Sequence, residues 1–464
     1  MGGLRRFDYF FRIARHITDY KVELGDTDLE IHEINTRGWK QDGDRRSHRR
    51  PERTAGSGRR GAIVSRIDYV IEVHDSLLAI APGEWNALLA QQIDATPFMR
   101  YEYLAALHES ASASPQTGWT PRLMCLWEQP ETGDSAGRTL VGACVLYLKD
   151  HSYGEYVFDH AWAHAYRQHG LQYYPKAVVA PPFTPVPGAR LLARDAAARQ
   201  ALAQALVQWC SQSALSSLHL LFASAPDVAA CQGAGMMLRH SVQFHWTNSA
   251  VGYRDFDAFL ASLNQEKRKK IRQERRKVEQ AGVVFRSASG SAISAQDWDF
   301  FYRCYERTYY EHGNAPYLSP DFFRRMAQGM AQNWLLFIGE RDGHPMACSL
   351  IALSDTNPDR PEDKVAYGRY WGALERVDCL HFEACYYQPL QWCIAHGYLR
   401  FEGGAQGEHK MARALLPVQT TSAHWLAHPA FADAVDDFLQ RERQGIGQYM
   451  AELGQRNPFR GGNP

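Results

Sequence analysis

The densest run of chemically active side chains in this sequence is residues 401–413, which read FEGGAQGEHKMAR. Within this run a carboxylate, an imidazole and an ammonium group follow one another at Glu408, His409 and Lys410. Together they offer an acid, a base and a cation, and the glycines offer accessible backbone amides. A solvated turn is the alternative interpretation, because turns attract the same residue types.

The elements around this run are typical of a site in an α/β fold. Residues 364–372 alternate like a strand, residues 380–397 have a helical composition, and residues 398–403 form a second strand-like run. Ligands of such folds bind beyond the carboxyl ends of the strands. The sequence therefore predicts that the glycine-rich run after the second strand is functional.

Length and composition predict a globular protein of several domains with a basic amino-terminal segment. The chain has 464 residues, 45% of them hydrophobic, and a formal net charge of zero. Length alone suggests roughly two to three domains. Residues 1–66 are rich in Lys, Arg and breakers, so we expect a disordered basic tail. A non-native extension from an upstream start and a nucleic-acid-binding arm are the alternatives for this segment.

We expect a cytoplasmic location without a membrane span. Charged residues interrupt the apolar run at the start, unlike in a secretory signal, and no run of about 18 apolar residues occurs. The nine cysteines are scattered and never spaced as CxxC. This pattern is typical of reduced cysteines in a protein core.

Two halves of the chain repeat one order of elements. Each has helices, a hairpin, a strand, a helix and a further strand. This order resembles an α/β (α+β) fold of two tandem acyltransferase domains of the GNAT type. The predicted domains span residues 67–258 and 283–464, and the second ends in a C-terminal helix. Residues 259–282 are predicted to form a basic helix that joins them.

The linking helix has one narrow apolar stripe, formed by Leu263, Ile271 and Val278, and is otherwise strongly cationic. Few acidic residues accompany these cations, so a positive field remains that a phosphate-bearing partner would neutralise. A solvated charged face is the alternative interpretation. The residues predicted to contact phosphate or tRNA are Arg268, Lys270, Arg272 and Arg276.

Longer motifs make the sequence similar to a known family. They are residues 146–166, 173–192, 368–372 (GRYWG), 380–388 (LHFEACYYQ), 401–410 (FEGGAQGEHK) and 422–425 (SAHW). Over residues 67–460 the chain resembles the FemAB-like family of predicted N-acyltransferases, described as peptidoglycan biosynthesis/recognition proteins. The resemblance implies tandem GNAT-like domains that transfer an amino acid from aminoacyl-tRNA to an amine on a cell-wall precursor.

The resemblance also bears on the acyl donor. Acetyl-CoA-dependent members of the fold carry an R/Q-x-x-G-x-G/A turn whose amides cradle a pyrophosphate. Residues 182–192 and 372–383 lack this glycine spacing, so acetyl-CoA is disfavoured and no cofactor is predicted. The family pattern of Arg, branched apolar residue and Arg in the linking helix matches Arg268, Ile271 and Arg272. Glu274 stands where the family has a small residue.

Acyl transfer to an amine defines the roles expected of the catalytic residues. The predicted base is His409, Glu408 or Glu402. Lys410, together with the backbone amides of the glycines, is predicted to stabilise the tetrahedral oxyanion. Glu383, in the preceding helix, is a further catalytic candidate.

Polar and aromatic residues around this run are predicted to bind substrate, with core packing as the alternative. Arg369 and Trp371, two apart on one strand, are expected to point to the same face. In the second half the predicted residues are Arg369, Trp371, His381, Tyr387 and Gln406. In the first half the predicted wall for the acceptor consists of His151, Tyr153, Glu155, Tyr156, Asp159 and Thr184. His160 and His164 have a metal-like spacing but no third ligand, so no metal site is predicted.

These observations leave three functions to compare. The first is an N-acyltransferase that moves an aminoacyl or other acyl group to an amine, such as that of a cell-wall precursor. The second is a CoA-dependent N-acetyltransferase, and the third is a non-catalytic binder of glycan, precursor or RNA. The basic helix favours the first function, the missing pyrophosphate turn disfavours the second, and the intact GEHK run disfavours the third.

Overall fold

The computed structural model describes residues 69–128, 138–354, 364–405 and 407–461. The predicted tail at residues 1–66 and the predicted site residue Gln406 lie outside the described residues. Within these ranges the chain has a mixed α/β structure built on one large sheet.

Helices occur throughout both halves of the chain. They are α1 (Pro82–Ala90), α2 (Tyr101–Glu109), α3 (His160–Gln168), α4 (Ala196–Gln212), α5 (Ala225–Gly233), α6 (Phe256–Ser262), α7 (Gln265–Gln280), α8 (Ala295–Glu311), α9 (Pro320–Gly329), α10 (Leu380–Phe382), α11 (Gln388–Ala395) and α12 (Pro429–Gly454). A π-helical turn, Glu383–Tyr387, joins α10 to α11. Short 3₁₀ helices lie at Leu77–Ala79, Pro97–Met99, Pro115–Thr117, Gly290–Ala292, Ala331–Asn333 and Glu408–Arg413.

Side-chain caps fix where several helices begin. Asp195, Asp255, Asn264, Ser294 and Ser319 each precede a helix and accept a hydrogen bond from an amide of its first turn. Such a cap satisfies an amide that has no partner within the helix and contributes about 1 kcal/mol. These helix starts are therefore encoded locally in the sequence.

The strands of the described ranges belong to one sheet. They are β1 (Tyr69–His74), β2 (Trp119–Glu128), β3 (Thr139–Lys149), β4 (Lys176–Val179), β5 (Leu192–Ala193), β6 (Ser217–Leu220), β7 (Met237–Thr247), β8 (Val283–Ser289), β9 (Trp334–Arg341), β10 (His344–Ser354), β11 (Val365–Ala373), β12 (Arg400–Glu402) and β13 (Leu416–Leu426). Their order is β1-β2-β3-β4-β6-β13-β7-β12-β11-β10-β9-β8, and β5 pairs with β3.

The two halves repeat one arrangement of strands. In the first half the hairpin β2–β3 is followed by the parallel pair β4 and β6, connected by α4. In the second half the hairpin β9–β10 is followed by the parallel pair β11 and β12, connected by the segment from α10 to α11. The predicted mixed α/β fold and the repeated order of elements in its two halves are thereby confirmed.

The halves also exchange their last strands. The last strand of the first half, β7, pairs with β12, and the last strand of the second half, β13, pairs with β6. β7 and β13 pair with each other from His245 opposite Leu416 to Met237 opposite His424. The division into domains 67–258 and 283–464 stays a prediction. Because the last strands are exchanged, neither range alone contains all the strands of its part of the sheet.

The residues predicted as one basic helix, 259–282, belong to two helices. α6 ends at Ser262 and α7 begins at Gln265. Between them, Leu263 is fully buried, and the side chain of Asn264 caps the start of α7. The helix is interrupted because a core leucine and a new helix cap follow one another at this point.

One hydrophobic core extends across both halves. It contains Phe98 and Tyr147 from the first half and Phe322 and Tyr367 from the second. Phe98 packs edge-to-face on Tyr367, with the ring centroids 5.3 Å apart. Burial of apolar area and contact between rings both stabilise the halves against each other.

We expect the two halves to unfold as one cooperative unit, because each receives a strand of its sheet from the other. Hydrogen exchange at increasing urea concentration, followed by mass spectrometry, measures this for β3 in the first half and β10 in the second. Both strands should lose protection at the same urea concentration. Separate midpoints for the two strands would show that the exchanged strands do not couple the halves.

Candidate active site

The carboxyl ends of β11 and β12 leave a gap in the sheet. The two strands pair only as far as Tyr367 and Glu402, where β12 ends while β11 continues. The chain crosses this gap at Gly404, which has a φ of +84°. A Cβ at Gly404 would lie 3.9 Å from the carbonyl oxygen of Gly368. The glycine-rich run thus lies beyond the strand ends, where ligands of α/β folds bind.

The predicted functional run is a packed 3₁₀ helix and not a solvated turn. Lys410 and Arg413 are only 3% and 2% exposed. Nζ of Lys410 donates a hydrogen bond of 2.9 Å to the carbonyl oxygen of Gly404. Burial lowers the pKa of Lys410 to about 8, because a low-dielectric environment disfavours the charged form. Lys410 is therefore a cation beside the gap that can lose its proton near neutral pH.

His409 is the exposed residue of the 3₁₀ helix. Its imidazole lies against Gly407, where a Cβ would approach the ring to 2.4 Å. Its Nε2 lies 3.1 Å from the hydroxyl oxygen of Tyr386. Partial burial and the charges of Lys410 and Arg413 lower the pKa of His409. The imidazole is consequently neutral at pH 7 and able to accept a proton.

His381 links His409 to β11 through aromatic contacts. The ring of His381 packs edge-on against Trp371 and Tyr386, with centroids 5.3 Å and 5.7 Å away. It lies 6.4 Å from the ring of His409. Burial lowers the pKa of His381 to about 4. His381, Tyr386 and His409 thus form a neutral polar surface beside the Lys410 ammonium group.

The π-helical turn determines which side chains reach this surface. A π-turn adds a residue to the helical repeat, and such turns frequently occur at functional sites. Here Tyr386 contacts His409, while Glu383 and Tyr387 contact α7. The hydroxyl of Ser349 donates a 2.5 Å hydrogen bond to the carbonyl oxygen of Ala384 and ties the turn to β10.

Glu383 and Tyr387, predicted as catalytic and substrate-binding residues, are buried at 4% and 1% exposure. The carboxylate of Glu383 accepts hydrogen bonds from Arg275 at 2.9 Å and from Gln388 at 2.8 Å. The hydroxyl of Tyr387 donates to the carboxylate of Glu274. Both side chains therefore hold the helical segment against α7.

A buried ion pair fixes the 3₁₀ helix to the same face of α7. Nη2 of Arg413 lies 2.9 Å and 2.8 Å from the two carboxylate oxygens of Glu274. Nη1 of Arg413 donates a 2.7 Å hydrogen bond to the carbonyl oxygen of His409. Glu274 stands where the family pattern has a small residue, and in this chain it anchors the residue next to the gap.

Glu408 and Glu402, the other predicted bases, have partners elsewhere. Glu408 accepts a 2.7 Å hydrogen bond from the hydroxyl of Tyr449 on α12. Glu402, at the end of β12, is 4% exposed; one carboxylate oxygen accepts a 3.0 Å hydrogen bond from Arg400, and the other is buried without a hydrogen-bond partner, 3.8 Å from Nε2 of His245. His409 is thus the predicted base whose side chain contacts Tyr386 at the gap.

A β-bulge separates Arg369 from Trp371, and the expectation that both point to the same face is wrong. Successive residue pairs between β10 and β11 skip Arg369, which is the extra residue of the bulge. An inserted residue breaks the alternation of side chains along a strand and changes the direction of the one that follows. Trp371 packs on His381, whereas Nη2 of Arg369 donates a 2.9 Å hydrogen bond to the carbonyl oxygen of Phe183.

Arg369 lies at the contact between the halves, which we call the seam. The seam consists of Phe98, Tyr103, Tyr156, Phe183 and Thr184 from the first half and Tyr309, Tyr317, Arg369 and Tyr370 from the second. The ring of Phe183 stacks on Tyr317 at 4.8 Å and 12°. The predicted residues Tyr156, Thr184 and Arg369 are therefore brought together from both halves.

The other predicted first-half residues divide into a buried and a solvent-facing group. Nζ of Lys176, which is fully buried, lies 2.8 Å from Glu155 and also pairs with Asp159. Burial raises the pKa of Glu155 to about 7. Tyr153 is 65% exposed and packs against His151 with the ring centroids 5.2 Å apart. Glu155 and Asp159 balance a buried lysine, whereas Tyr153 faces solvent.

The predicted phosphate-binding residues lie on the outer side of α7. The inner side buries Ile271 and Glu274. The outer residues Lys270, Arg272 and Arg276 are exposed, and Arg268 is half-buried.

Sequence reasoning missed Tyr386, Arg413, Tyr103 and Tyr370. Regular α-helical spacing places Glu383 and Tyr387 on one face and gives no sign that Tyr386 reaches the glycine-rich run. Arg413 closes the quoted run, but its partner lies 139 residues away along the chain. Tyr103 and Tyr370 are part of aromatic stretches that have the composition of a core.

Within the described ranges, no cluster of three or more His, Cys, Asp or Glu residues is arranged to bind a metal. None of the helices in those ranges combines the length and the apolar character needed to cross a bilayer.

Comparison with known proteins identifies a family. Residues 76–461 match the FemAB-like family, described as peptidoglycan biosynthesis/recognition. No curated protein matches the sequence.

Similar solved structures include L-PGS from Bacillus licheniformis, with 9% identity, a TM-score of 0.44, and coverage of 79% of this chain and 97% of that one. A tandem GNAT protein from the clavulanic acid biosynthesis pathway has 12% identity, a TM-score of 0.39, and coverage of 78% and 99%. A GCN5-related N-acetyltransferase from Kribbella flavida has 16% identity, a TM-score of 0.28, and coverage of 61% and 86%.

Replacing Glu274 by Gln should strongly destabilise the protein, because it leaves the buried guanidinium of Arg413 without a counter-charge. Loss of one partner of a buried ion pair typically costs about 3–5 kcal/mol. Urea denaturation measures the change in the free energy of unfolding. The double variant Glu274→Leu/Arg413→Met should recover much of it, because the unpaired charge is removed.

Arg272→Gln, on the exposed side of the same helix, is the matched control and should change stability by less than about 0.5 kcal/mol. A similarly small effect of Glu274→Gln would contradict the proposed anchoring of the 3₁₀ helix.

Proposed function

Because the chain belongs to the FemAB-like family and is an acyltransferase, we propose that it transfers an aminoacyl group from aminoacyl-tRNA to an amine. The acceptor is an amine-bearing cell-wall precursor, in keeping with the description of the family. The gap between β11 and β12 is the proposed site of transfer.

The observation that carries this proposal is the position of the cations of α7. Arg268, Lys269, Lys270 and Arg276 have no carboxylate within 4 Å among the described residues. Cations without counter-charges create a field that attracts the phosphates of a nucleic acid. α7 spans roughly 24 Å at 1.5 Å per residue, which is long enough to contact several successive phosphates.

The inner side of α7 connects these cations to the proposed transfer site. Glu274 binds Arg413, and Arg413 binds the carbonyl oxygen of His409. Arg275 binds Glu383 in the π-helical turn. A polyanion on the outer side would therefore lie one helix away from the gap, so that its acylated end could reach Lys410 and His409.

The reaction can be assigned to side chains of this chain. The amine nitrogen attacks the ester carbonyl carbon, a C–N bond forms, and the ester C–O bond then breaks to release the ribose hydroxyl. His409, neutral at pH 7 and with Tyr386 bound to its ring, accepts the proton from the amine and returns it to the departing ribose oxygen. Protonated Lys410 stabilises the negative charge that develops on the carbonyl oxygen.

If the donor is aminoacyl-tRNA, its affinity should fall steeply with salt, because each bound phosphate releases counterions. Replacing Arg268, Lys270, Arg272 and Arg276 by Gln should reduce the slope of log K against log salt by roughly 3, at about 0.7 per lost contact. Filter binding with aminoacylated and deacylated tRNA measures this slope.

Arg303→Gln, an exposed cation on α8, is the control and should leave the slope unchanged. Salt-insensitive binding of acetyl-CoA with acetyl transfer would instead support the CoA-dependent function. Tight tRNA binding with no transfer to any amine would support a non-catalytic RNA binder.

His409→Ala should reduce turnover by about 100-fold or more, in line with the contribution of a positioned base. Lys410→Met should also slow turnover, because losing an oxyanion donor raises the activation free energy by about 2–4 kcal/mol. Glu408→Gln is the matched control, because Glu408 contacts α12. Full activity of both His409→Ala and Lys410→Met would exclude the proposed roles.

The pH profile should distinguish these roles. His409 must be neutral, so kcat/KM should rise as pH increases through its lowered pKa. Lys410 must be charged, so kcat/KM should fall above its pKa of about 8. Lys410→Met should lose the alkaline limb and His409→Ala the acid limb. A profile unchanged in both variants would assign the titrations to other groups.

A further inference from the structure

The bulge on β11 directs the guanidinium of Arg369 into the seam between the halves. Nη2 donates to the carbonyl oxygen of Phe183 at 2.9 Å and lies 3.3 Å from the hydroxyl oxygen of Tyr370. The guanidinium carbon lies 4.9 Å from the ring centroid of Phe98 and 5.1 Å from that of Tyr370. Its neighbours are therefore a carbonyl group and aromatic rings, all of them neutral.

The charge of Arg369 has no counter-ion among the described residues. No carboxylate lies within 4 Å of it, and its Nε is fully buried without a hydrogen-bond acceptor. A desolvated cation with an unpaired donor is unfavourable unless a partner supplies negative charge.

Two other buried arginines have more hydrogen-bond partners than Arg369. Arg413 pairs with both oxygens of Glu274. Arg190 is fully buried and donates to the carbonyl oxygens of Leu221, Ala189 and Val186. Arg369 lacks the carboxylate that Arg413 has, and it donates to one carbonyl oxygen where Arg190 donates to three.

Hydroxyl groups from both halves lie near this guanidinium. Tyr103 and Tyr156 come from the first half and Tyr370 from the second, and all three interact electrostatically with Arg369. Thr184 donates to the carbonyl oxygen of Pro182 at 2.9 Å, so the hydroxyl of Tyr103 donates to Thr184 at 3.1 Å. A guanidinium among hydroxyl donors is a receptor for an oxyanion.

Part of the seam reaches the surface next to the proposed transfer site. Arg369, Tyr156 and Tyr370 are only partly buried. Gly368, the residue before Arg369, approaches Gly404 across the gap. A ligand bound to Arg369 would therefore lie close to the gap.

We propose that Arg369, with the hydroxyls of Tyr156 and Tyr370, binds a carboxylate of the acceptor. The acceptor is then an amine that also carries a carboxylate, as an amino acid or a peptide does. The planar fork of one guanidinium matches a carboxylate with two parallel hydrogen bonds, and one positive charge balances it. A phosphate dianion would remain half neutralised. That the ligand is the acceptor rests on the proposed function, whereas the binding of a carboxylate does not.

Saturation-transfer NMR with the full chain tests this directly, with acetate and acetamide as observed probes and inorganic phosphate as a competitor of acetate. Acetate should bind at millimolar concentration and acetamide at least tenfold more weakly. Arg369→Gln should weaken acetate binding at least tenfold, and Tyr370→Phe, which keeps the ring, several-fold. Arg303→Gln, on the exposed side of α8, should bind acetate as the parent protein does.

Equal binding of acetate and acetamide, or preference for phosphate, would overturn the carboxylate assignment. The melting temperature without probe provides a second measurement. Arg369→Gln should not lower it, because the charge it removes is uncompensated; a clear fall would make Arg369 a structural tie between β11 and Phe183 instead. Since no turnover is required, acetate binding by a protein without transfer activity would refute the proposed function alone.

Discussion

The pairing of β7 with β13 is the interaction on which the rest of this structure depends. These strands are the last of their respective halves, yet each adds to the part of the sheet formed by the other half. Backbone hydrogen bonds between them turn two repeated halves into one sheet. Because the halves cannot rotate freely, side chains from both, such as Tyr156 and Arg369, can share one surface.

α7 is the second element that fixes the geometry beside the gap, and its two sides differ. Its inner side carries Glu274 and Arg275, whose ion pairs with Arg413 and Glu383 position the 3₁₀ helix and the π-helical turn. Its outer side carries cations that face solvent. α7 therefore connects a cationic outer surface to the residues beside the gap.

Buried charges in this protein fall into two physical groups. Lys176 is balanced by Glu155 and Asp159, and Arg413 by Glu274, so each of these desolvated cations is compensated within the fold. Arg369 and Lys410 have only neutral partners. Removing a charge from water without a counter-charge is costly. Lys410 contacts Gly404, and Arg369 follows Gly368, so both cations lie near the gap.

The sequence by itself determined the repeated order of elements, the helix caps and the concentration of reactive side chains at residues 401–413, because these follow from local spacing and residue type. The family resemblance was also contained in contiguous motifs. Local patterns could not show that Glu408 faces α12, that Tyr386 reaches His409, or that Arg369 leaves the face of Trp371. A π-turn and a β-bulge each add one residue to a regular repeat, and their presence depends on packing against distant strands and helices. The strand exchange likewise depends on pairing between residues far apart in the chain. Only the tertiary structure decided these features, because their partners are brought together by folding and not by sequence neighbourhood.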